Sequence, residues 1–274
     1  MRSLTSKAAL ITGAGRGQGR AHALRLARAG VAIIAVDVCQ DIPSLPYSMA
    51  TRDDLDETVG LVEKEGARAS AQVADIRDRA ALERAYRAGL AELRVDSVDV
   101  LIANAGGIAY PSEQDEDAAF SGQLELMLVG TWNTLKVVTG DMITAGRGGA
   151  IVLTSSTAGL KGYVGGWGGL DGYTAAKAGI VGLMRFYANL LAPHNIRVNT
   201  IHPTGVNSGM VQNDAFARWA VSAVGDDPGA LANPMPVALL EPDDVAAAVA
   251  WLVSDDAKWV TGVALPVDAG FTNR

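Results

Sequence analysis

The sequence predicts a three-layer α/β fold in which helices cover both faces of a doubly wound, seven-stranded parallel sheet. Three observations point there. Strand-length apolar runs alternate with helical stretches along the 274 residues, and repeated β–α–β alternation builds a parallel sheet. Runs such as 31–36 are apolar without a break, as suits strands covered on both faces. No linker, repeat or low-complexity tract divides the chain, so 1–274 is expected to form a single domain.

Taken in order, the strands are "AALIT" (8–12), "VAIIAV" (31–36), "ARASAQV" (67–73), "VDVLIAN" (98–104), "GAIVLTS" (149–155), "IRVNTI" (196–201) and "GVALPV" (262–267). Helices are predicted near 17–29, 53–65, 78–93, 121–145, 173–192 and 242–253. Three connections are too long for simple turns: the proline-bearing 37–54, the glycine-rich 159–172 with seven glycines, and 203–242. Long loops in compact domains tend to carry function, and 203–242 is the expected substrate loop.

Composition removes several classes. A net charge of −7 without a basic run argues against nucleic acid and anionic membranes. Cys39 is the single cysteine, so no intrachain disulfide is possible, which fits a reducing cytoplasm. The start, "MRSLTSKAALITGAG", runs straight into a strand and lacks the apolar stretch of a signal peptide. No apolar run approaches the roughly 20 residues that span a bilayer. His22, His194 and His202 have no metal-ligand spacing, so no metal is expected. His22, on the first helix, is read as packed or solvated, and His202 as structural.

The chemistry begins at "TGAGRGQG" (12–19). A strand runs into Gly13, Gly15, Gly17 and Gly19 and then into a helix, with Arg16 and Gln18 between the glycines. Glycines allow a tight turn and close backbone approach, and a helix N-terminus offers free N–H groups to a pyrophosphate. Asp37 ends the second strand, 18 residues past Gly19. A carboxylate there accepts hydrogen bonds from a ribose diol and repels a 2′-phosphate. NAD is therefore predicted over NADP, although Arg16 is a cation that could meet such a phosphate.

In "YTAAK" (173–177), Tyr173 and Lys177 stand four apart, on one face of a helix. A free tyrosine has a pKa of about 10. A neighbouring ammonium favours the phenolate, which makes the tyrosine an effective acid/base near neutral pH.

With these motifs in place, the chain resembles the short-chain dehydrogenase/reductase family over essentially its whole length. "TGAGRGQG", "ADI" (74–76), "NAG" (104–106), "SS" (155–156), "YTAAK" and "HPTGV" (202–206) carry the resemblance. It is most similar to the mycofactocin-associated, carveol-dehydrogenase-like subgroup. "GRGQGRAHA", the insert "DVCQDIPSLPYSMAT" after the second strand, "TSSTAGLKGY", "HPTGVNSGM" and "VTGVALPVDAGF" carry that closer likeness. The resemblance implies a Rossmann fold and an NAD-dependent interconversion of alcohol and ketone. It also implies tightly held NAD, an external redox partner such as mycofactocin, and a homotetramer that pairs helices 121–145 and 173–192. By resemblance, Asp75 bonds the adenine amino group and Ile76 packs on its ring, while Asn104, Ala105 and Gly106 pass close to the adenosine ribose. Ser156 binds the substrate oxygen and Tyr173 exchanges the proton. Lys177 holds the nicotinamide ribose, and Pro203, Thr204 and Val206 fix the nicotinamide.

Two departures from the family pattern stand out. Met127, in "LELMLVGTWNTLK", occupies the place of an asparagine that normally completes a proton relay through water. A thioether is a weak acceptor and no donor. The alternative reading is therefore a catalytically impaired or silent NAD-binding protein of the same fold. Ser156 and Tyr173 are 17 apart, where the family more often shows about 13; the excess, 164–172, is expected to bulge out as a loop ahead of a helix beginning at Tyr173. The pocket segments 107–121, 159–172 and 205–238 contain Tyr110, Trp167, Met210, Phe216, Trp219 and Met235. They suggest an apolar substrate, with Trp167 either lining the pocket or packing elsewhere.

Overall fold

The computed structural model describes residues 4–112, 115–162, 167–224 and 229–274. Seven strands form one parallel sheet: β1 (Ala8–Thr12), β2 (Ala32–Asp37), β3 (Ala69–Val73), β4 (Val100–Ala103), β5 (Gly149–Thr154), β6 (Ile196–Pro203) and β7 (Ala264–Val267). Their order is β3-β2-β1-β4-β5-β6-β7. The chain winds outward from β1 to β3, returns to β4, and winds outward again. The carboxyl ends of β1 and β4 therefore part at a crevice, the place where open α/β sheets bind ligands.

Each predicted strand is present within a few residues of its expected bounds. β1, β2 and β4 are buried along their whole length, because helices lie on both faces. On one face α1 (Gly17–Ala27) packs on α2 (Arg52–Lys64) and on α8 (Pro242–Val253). On the other, α3 (Arg79–Leu93) packs on α5 (Gly130–Ala145), and α4 (Glu116–Gln123) packs on α6 (Gly168–Leu191). The two apolar cores lie on opposite sides of the sheet: Leu10 and Ile34 belong to one, Ile11 and Ile33 to the other. This is the period-2 alternation of a strand.

Polar residues set the helix starts. Thr51 and Asp54 form a reciprocal capping box on α2, Asp78 caps α3 and Asp115 caps α4. Such caps contribute about 1 kcal/mol each.

Three expectations need correction. The helix predicted from 121 begins at Glu116 and runs on through a π-helical turn, Leu124–Val129, into α5. The helix predicted from Tyr173 begins at Gly168, so Tyr173 sits in its second turn. Of the predicted bulge 164–172, residues 164–166 lie outside the described residues, whereas 168–172 are helical. A Cβ on Gly168 or Gly169 would collide with the Glu116 or Ala109 carbonyl, and one on Gly172 would lie 2.5 Å from the Phe120 carbonyl. Gly168 and Gly172 seat the helix against α4, and Gly169 seats it against the Ala109 backbone. Finally, the 203–242 segment holds a helix, α7 (Asp214–Val224), with Asn213 Oδ1 accepting from Phe216 N–H at 2.8 Å.

Candidate active site

One cavity runs along the crevice at the carboxyl edge of the sheet. It is lined by Gly13, Arg16, Gly17, Gln18, Asp37, Asp75, Ile76, Asn104, Ala105 and Gly106. Ser156, Tyr173, Lys177, Pro203, Thr204 and Val206 line the same cavity. Of the predicted site residues, Gly15 and Gly19 stand outside the lining and shape the turn behind it.

At the first end, β1 passes into Gly13 and Gly17, both in the left-handed region at φ +69° and +55°. A Cβ on Gly19 would collide with the Gly13 carbonyl, so the turn closes on the first turn of α1. Arg16 stands at the N-cap of α1 without a side-chain capping bond, and the first turn holds no acidic residue. The leading N–H groups and positive dipole end of α1 are thus left for an anion.

Asp37 Oδ2 accepts from Gly15 N–H at 2.8 Å, and Oδ1 accepts from Val38 N–H at 2.8 Å. Burial raises its pKa, against these hydrogen bonds and the charge of Arg16. Asp75 faces the cavity but grips Arg77 in a two-pronged pair at 2.6–3.0 Å. Burial alone would raise its pKa; the hydrogen bonds from Arg77 outweigh this and lower it. Ile76 packs on Gly130, where a Cβ would lie 2.5 Å from its Cδ1. Asn104 splices strand ends: its amide donates to Thr12 and Gly13 carbonyls at 3.1 and 3.3 Å, and its N–H is held by Thr12 Oγ1 at 3.1 Å.

At the centre, Ser156 follows β5, and its Oγ accepts from Ala158 N–H at 3.1 Å. Its neighbour Ser155 is spent differently, donating to the Lys177 carbonyl at 2.8 Å. Lys177 Nζ lies 5.5 Å from the centre of the Tyr173 ring and donates to the Thr154 carbonyl at 2.8 Å. Burial pushes the lysine pKa down to about 7. Met127 is fully buried beside this group. A Cβ on Gly106 would stand 3.6 Å from the Met127 sulfur and 3.8 Å from Lys177 Nζ.

The far end is aromatic. The Tyr110 ring lies 5.7 Å from Phe216 and 5.6 Å from Trp219, and its hydroxyl donates to the Met210 carbonyl at 3.0 Å. Two predicted pocket residues are absent from the lining. Trp167 packs against the Ile108–Tyr110–Leu170 cluster without facing the cavity, and Met235 is exposed. Thr204 is held by Asn233 at 2.9 Å, and Val206 bridges Leu240.

The insert after β2 supplies site residues that the sequence reading left unnamed. Ile42, Tyr47, Met49 and Ala50 line the cavity. Tyr47 accepts from Ile108 N–H at 2.8 Å, and Arg16 donates to the Ser48 carbonyl. The available signal was apolar Ile42, Tyr47 and Met49 within a proline-bearing loop.

No helix among the described residues is long and apolar enough to cross a membrane, and none of their His, Cys, Asp and Glu residues cluster as metal ligands.

Known proteins share this sequence pattern and this fold. The family model for short chain dehydrogenase matches residues 7–218. An uncharacterised oxidoreductase of Mycobacterium tuberculosis is 50% identical over 273 residues, covering 100% of this chain and 98% of the relative. The (-)-trans-carveol dehydrogenase of Rhodococcus erythropolis is 41% identical, covering 99% of each chain. The crystal structure of carveol dehydrogenase from Mycobacterium avium in complex with NAD superposes with a TM-score of 0.90 at 39% identity, covering 98% of this chain and 99% of that one.

Proposed function

Because the chain belongs to the short-chain dehydrogenase family, we propose that it is an NAD-dependent oxidoreductase interconverting a secondary alcohol and a ketone. The observation that carries this reading is the convergence of Ser156, Tyr173 and Lys177 on one cavity. The other end of that cavity is the uncapped α1 terminus and Asp37. The residues fit a dinucleotide: free N–H groups for the diphosphate, and a buried carboxylate for the ribose diol that opposes a 2′-phosphate. When bound, NAD supplies the site that accepts or returns hydride.

The chain's own groups handle the oxygen and its proton. Ser156 Oγ already accepts from Ala158 N–H, so its own hydrogen is available to the substrate oxygen. Tyr173 takes the alcohol proton as the C–H pair departs as hydride, and returns it in reduction. A cation at Lys177 favours the phenolate form that does so. The rings of Tyr110, Phe216 and Trp219 support an apolar substrate. The same cavity supports reading 1–274 as a single unit with 203–242 as substrate wall.

Single-turnover mixing of the NAD-loaded protein with a panel of secondary alcohols tests this. Reduced-cofactor absorbance is expected in the wild type and not in Tyr173→Phe. Full NAD occupancy without absorbance for any alcohol overturns it. Met127 beside Lys177 favours the second reading, a catalytically impaired or silent NAD-binding protein, which that result would support.

The remaining assignments extend the reading. The Arg16–Ser48 and Tyr47–Ile108 contacts tie the insert over the cleft, which supports slow NAD exchange and re-oxidation in place by an external partner such as mycofactocin. Exposed Phe120, Val129, Trp132, Phe186 and Leu190 on the α4–α6 side support helix pairing in a homotetramer. Native mass spectrometry reads both the assembly and the retained NAD. A cytoplasmic location is consistent with the single cysteine.

A further inference from the structure

We propose that His202 is the positioning residue for Ser156, fixing the backbone from which the serine hydroxyl reaches the substrate oxygen. The inference rests on the role proposed for Ser156. β5 and β6 pair in register up to Thr154 opposite Ile201. The backbone ladder gives one more rung, Ser155 N–H to the Ile201 carbonyl at 2.9 Å. Beyond it the chain turns into the Thr157–Gly159 turn. There a side chain takes over from the ladder: His202 Nδ1 lies 2.7 Å from the Ser156 carbonyl.

The chemistry of the partners fixes the ring. A carbonyl oxygen only accepts, so Nδ1 carries the hydrogen. The ring is fully buried, and burial lowers its pKa. It is therefore neutral at pH 7, and Nε2 accepts from the Thr200 hydroxyl, 2.8 Å away. One tautomer and one orientation satisfy both bonds. Among the described residues, Ser156 also takes two bonds from within its own turn, Gly159 N–H to the carbonyl at 2.9 Å and Ala158 N–H to Oγ at 3.1 Å. His202 is thus the tie from the Ser156 carbonyl to the sheet. It is absent from the cavity lining, so it acts through Ser156 and not on the substrate.

His202→Leu removes the donor, whereas His202→Asn keeps a nitrogen donor at the δ position. We expect His202→Leu to lower kcat roughly 10- to 100-fold, the scale of a misplaced or lost hydrogen bond to the reacting oxygen. KM for the alcohol and NAD occupancy should stay within about twofold, and His202→Asn within about threefold of wild type. Combined with Ser156→Ala, the leucine variant should cause no further loss, because both changes remove one interaction. Equal losses in the leucine and asparagine variants, additive losses with Ser156→Ala, or a loss explained by missing NAD would each overturn the inference. A crystal structure of His202→Leu gives a readout free of turnover. Displacement of the Ser156 carbonyl and Oγ supports the role even if the wild type transfers no hydride; an unmoved Ser156 overturns it.

Discussion

Lys177 Nζ stands 5.5 Å from the centre of the Tyr173 ring while its hydrogen bond goes to the Thr154 carbonyl at 2.8 Å. The i,i+4 spacing thus sets an ammonium against a phenol, but in a buried place. Burial drops the lysine pKa from 10.5 to about 7. As pH falls below 10.5, the unfolded chain takes up a proton that the folded one resists. The desolvation cost is therefore fully borne below about 7. Lys177→Met should lower activity about a hundredfold or more yet stabilise the fold at pH 7. Each pKa unit is about 1.4 kcal/mol, and the orphaned Thr154 carbonyl offsets part of the gain, leaving about 1–2 kcal/mol. Denaturant unfolding at pH 7 and pH 9 checks this: the gain must shrink at the higher pH.

His22 carries the same logic with a different window. It is fully buried on α1, and neither ring nitrogen has a hydrogen-bond partner among the described residues. Burial lowers its pKa from 6.5 to about 4. Between those values the unfolded chain binds a proton that the folded chain refuses, so stability falls as pH drops from 6.5 toward 4. His22→Leu should stabilise by about 1–3 kcal/mol at pH 7, by removing unpaired polar atoms. The advantage over wild type should widen at pH 5, as read by chemical denaturation.

Asp37 should decide between the two nicotinamide dinucleotides. Its carboxylate is oriented by Gly15 and Val38, with the Arg16 charge acting on it. Asp37→Ser removes the repulsion of a 2′-phosphate and leaves Arg16 to meet it. NAD affinity should fall about tenfold and NADP affinity rise, reflecting a lost charge-assisted hydrogen bond of roughly 1.5–3 kcal/mol. Calorimetric titration with both cofactors measures the change; an unaltered preference excludes Asp37 as the selector.

How far the sequence could be read follows from which forces are local. The sheet was legible because continuous apolar runs such as 31–36 have one stable use, between two helical layers. The glycine turn and Asp37 were legible because their spacing is set by one βαβ unit. The start of α6 was not. Glycine disfavours helix by about 1 kcal/mol relative to alanine, and seven in 159–172 read as a loop. The reason for Gly168 and Gly172 is the α4 backbone they touch, and for Gly169 the Ala109 carbonyl, partners about fifty to sixty positions away in the chain. α7 carries a local signal, Asn213 and Asp214 ahead of an amphipathic run, but it lies inside a segment whose length reads as loop. The tie of His202 to Ser156 lacks a local signal, since Ser156 meets it only through the pairing of β5 and β6; Thr200 is its neighbour on the same strand.

Met127→Asn tests whether proton flow limits the reaction. Met127 is completely buried in the π-helical turn, next to Gly106 and the Lys177 ammonium. An asparagine there offers a donor, which a thioether lacks, and a strong acceptor in place of a weak one. The steady-state rate should rise about tenfold, within the range of general acid–base contributions. Stability should drop by about 1–3 kcal/mol through burial of an amide. Rate and melting temperature measured together settle both halves. A stability loss without a rate gain places the exit of the proton elsewhere.

Two glycines of α6 separate packing from propensity. A Cβ on Gly172 would lie 2.5 Å from the Phe120 carbonyl and 3.0 Å from Gln123 Cβ, whereas one on Gly182 would meet nothing within 4 Å. Alanine improves helix propensity at both, by about 0.5–1 kcal/mol. At Gly182 that gain stands alone, so Gly182→Ala should stabilise without touching kinetics. At Gly172 the helix must shift off α4, a strain of roughly 1–3 kcal/mol that outweighs the gain. Tyr173 is the next residue, so the same shift moves the phenol within the cavity. Gly172→Ala should therefore melt earlier and lose kcat with little change in KM. If both alanine variants stabilise equally, the glycines at the head of α6 are not seated against α4, and the account of how Tyr173 is held fails with them.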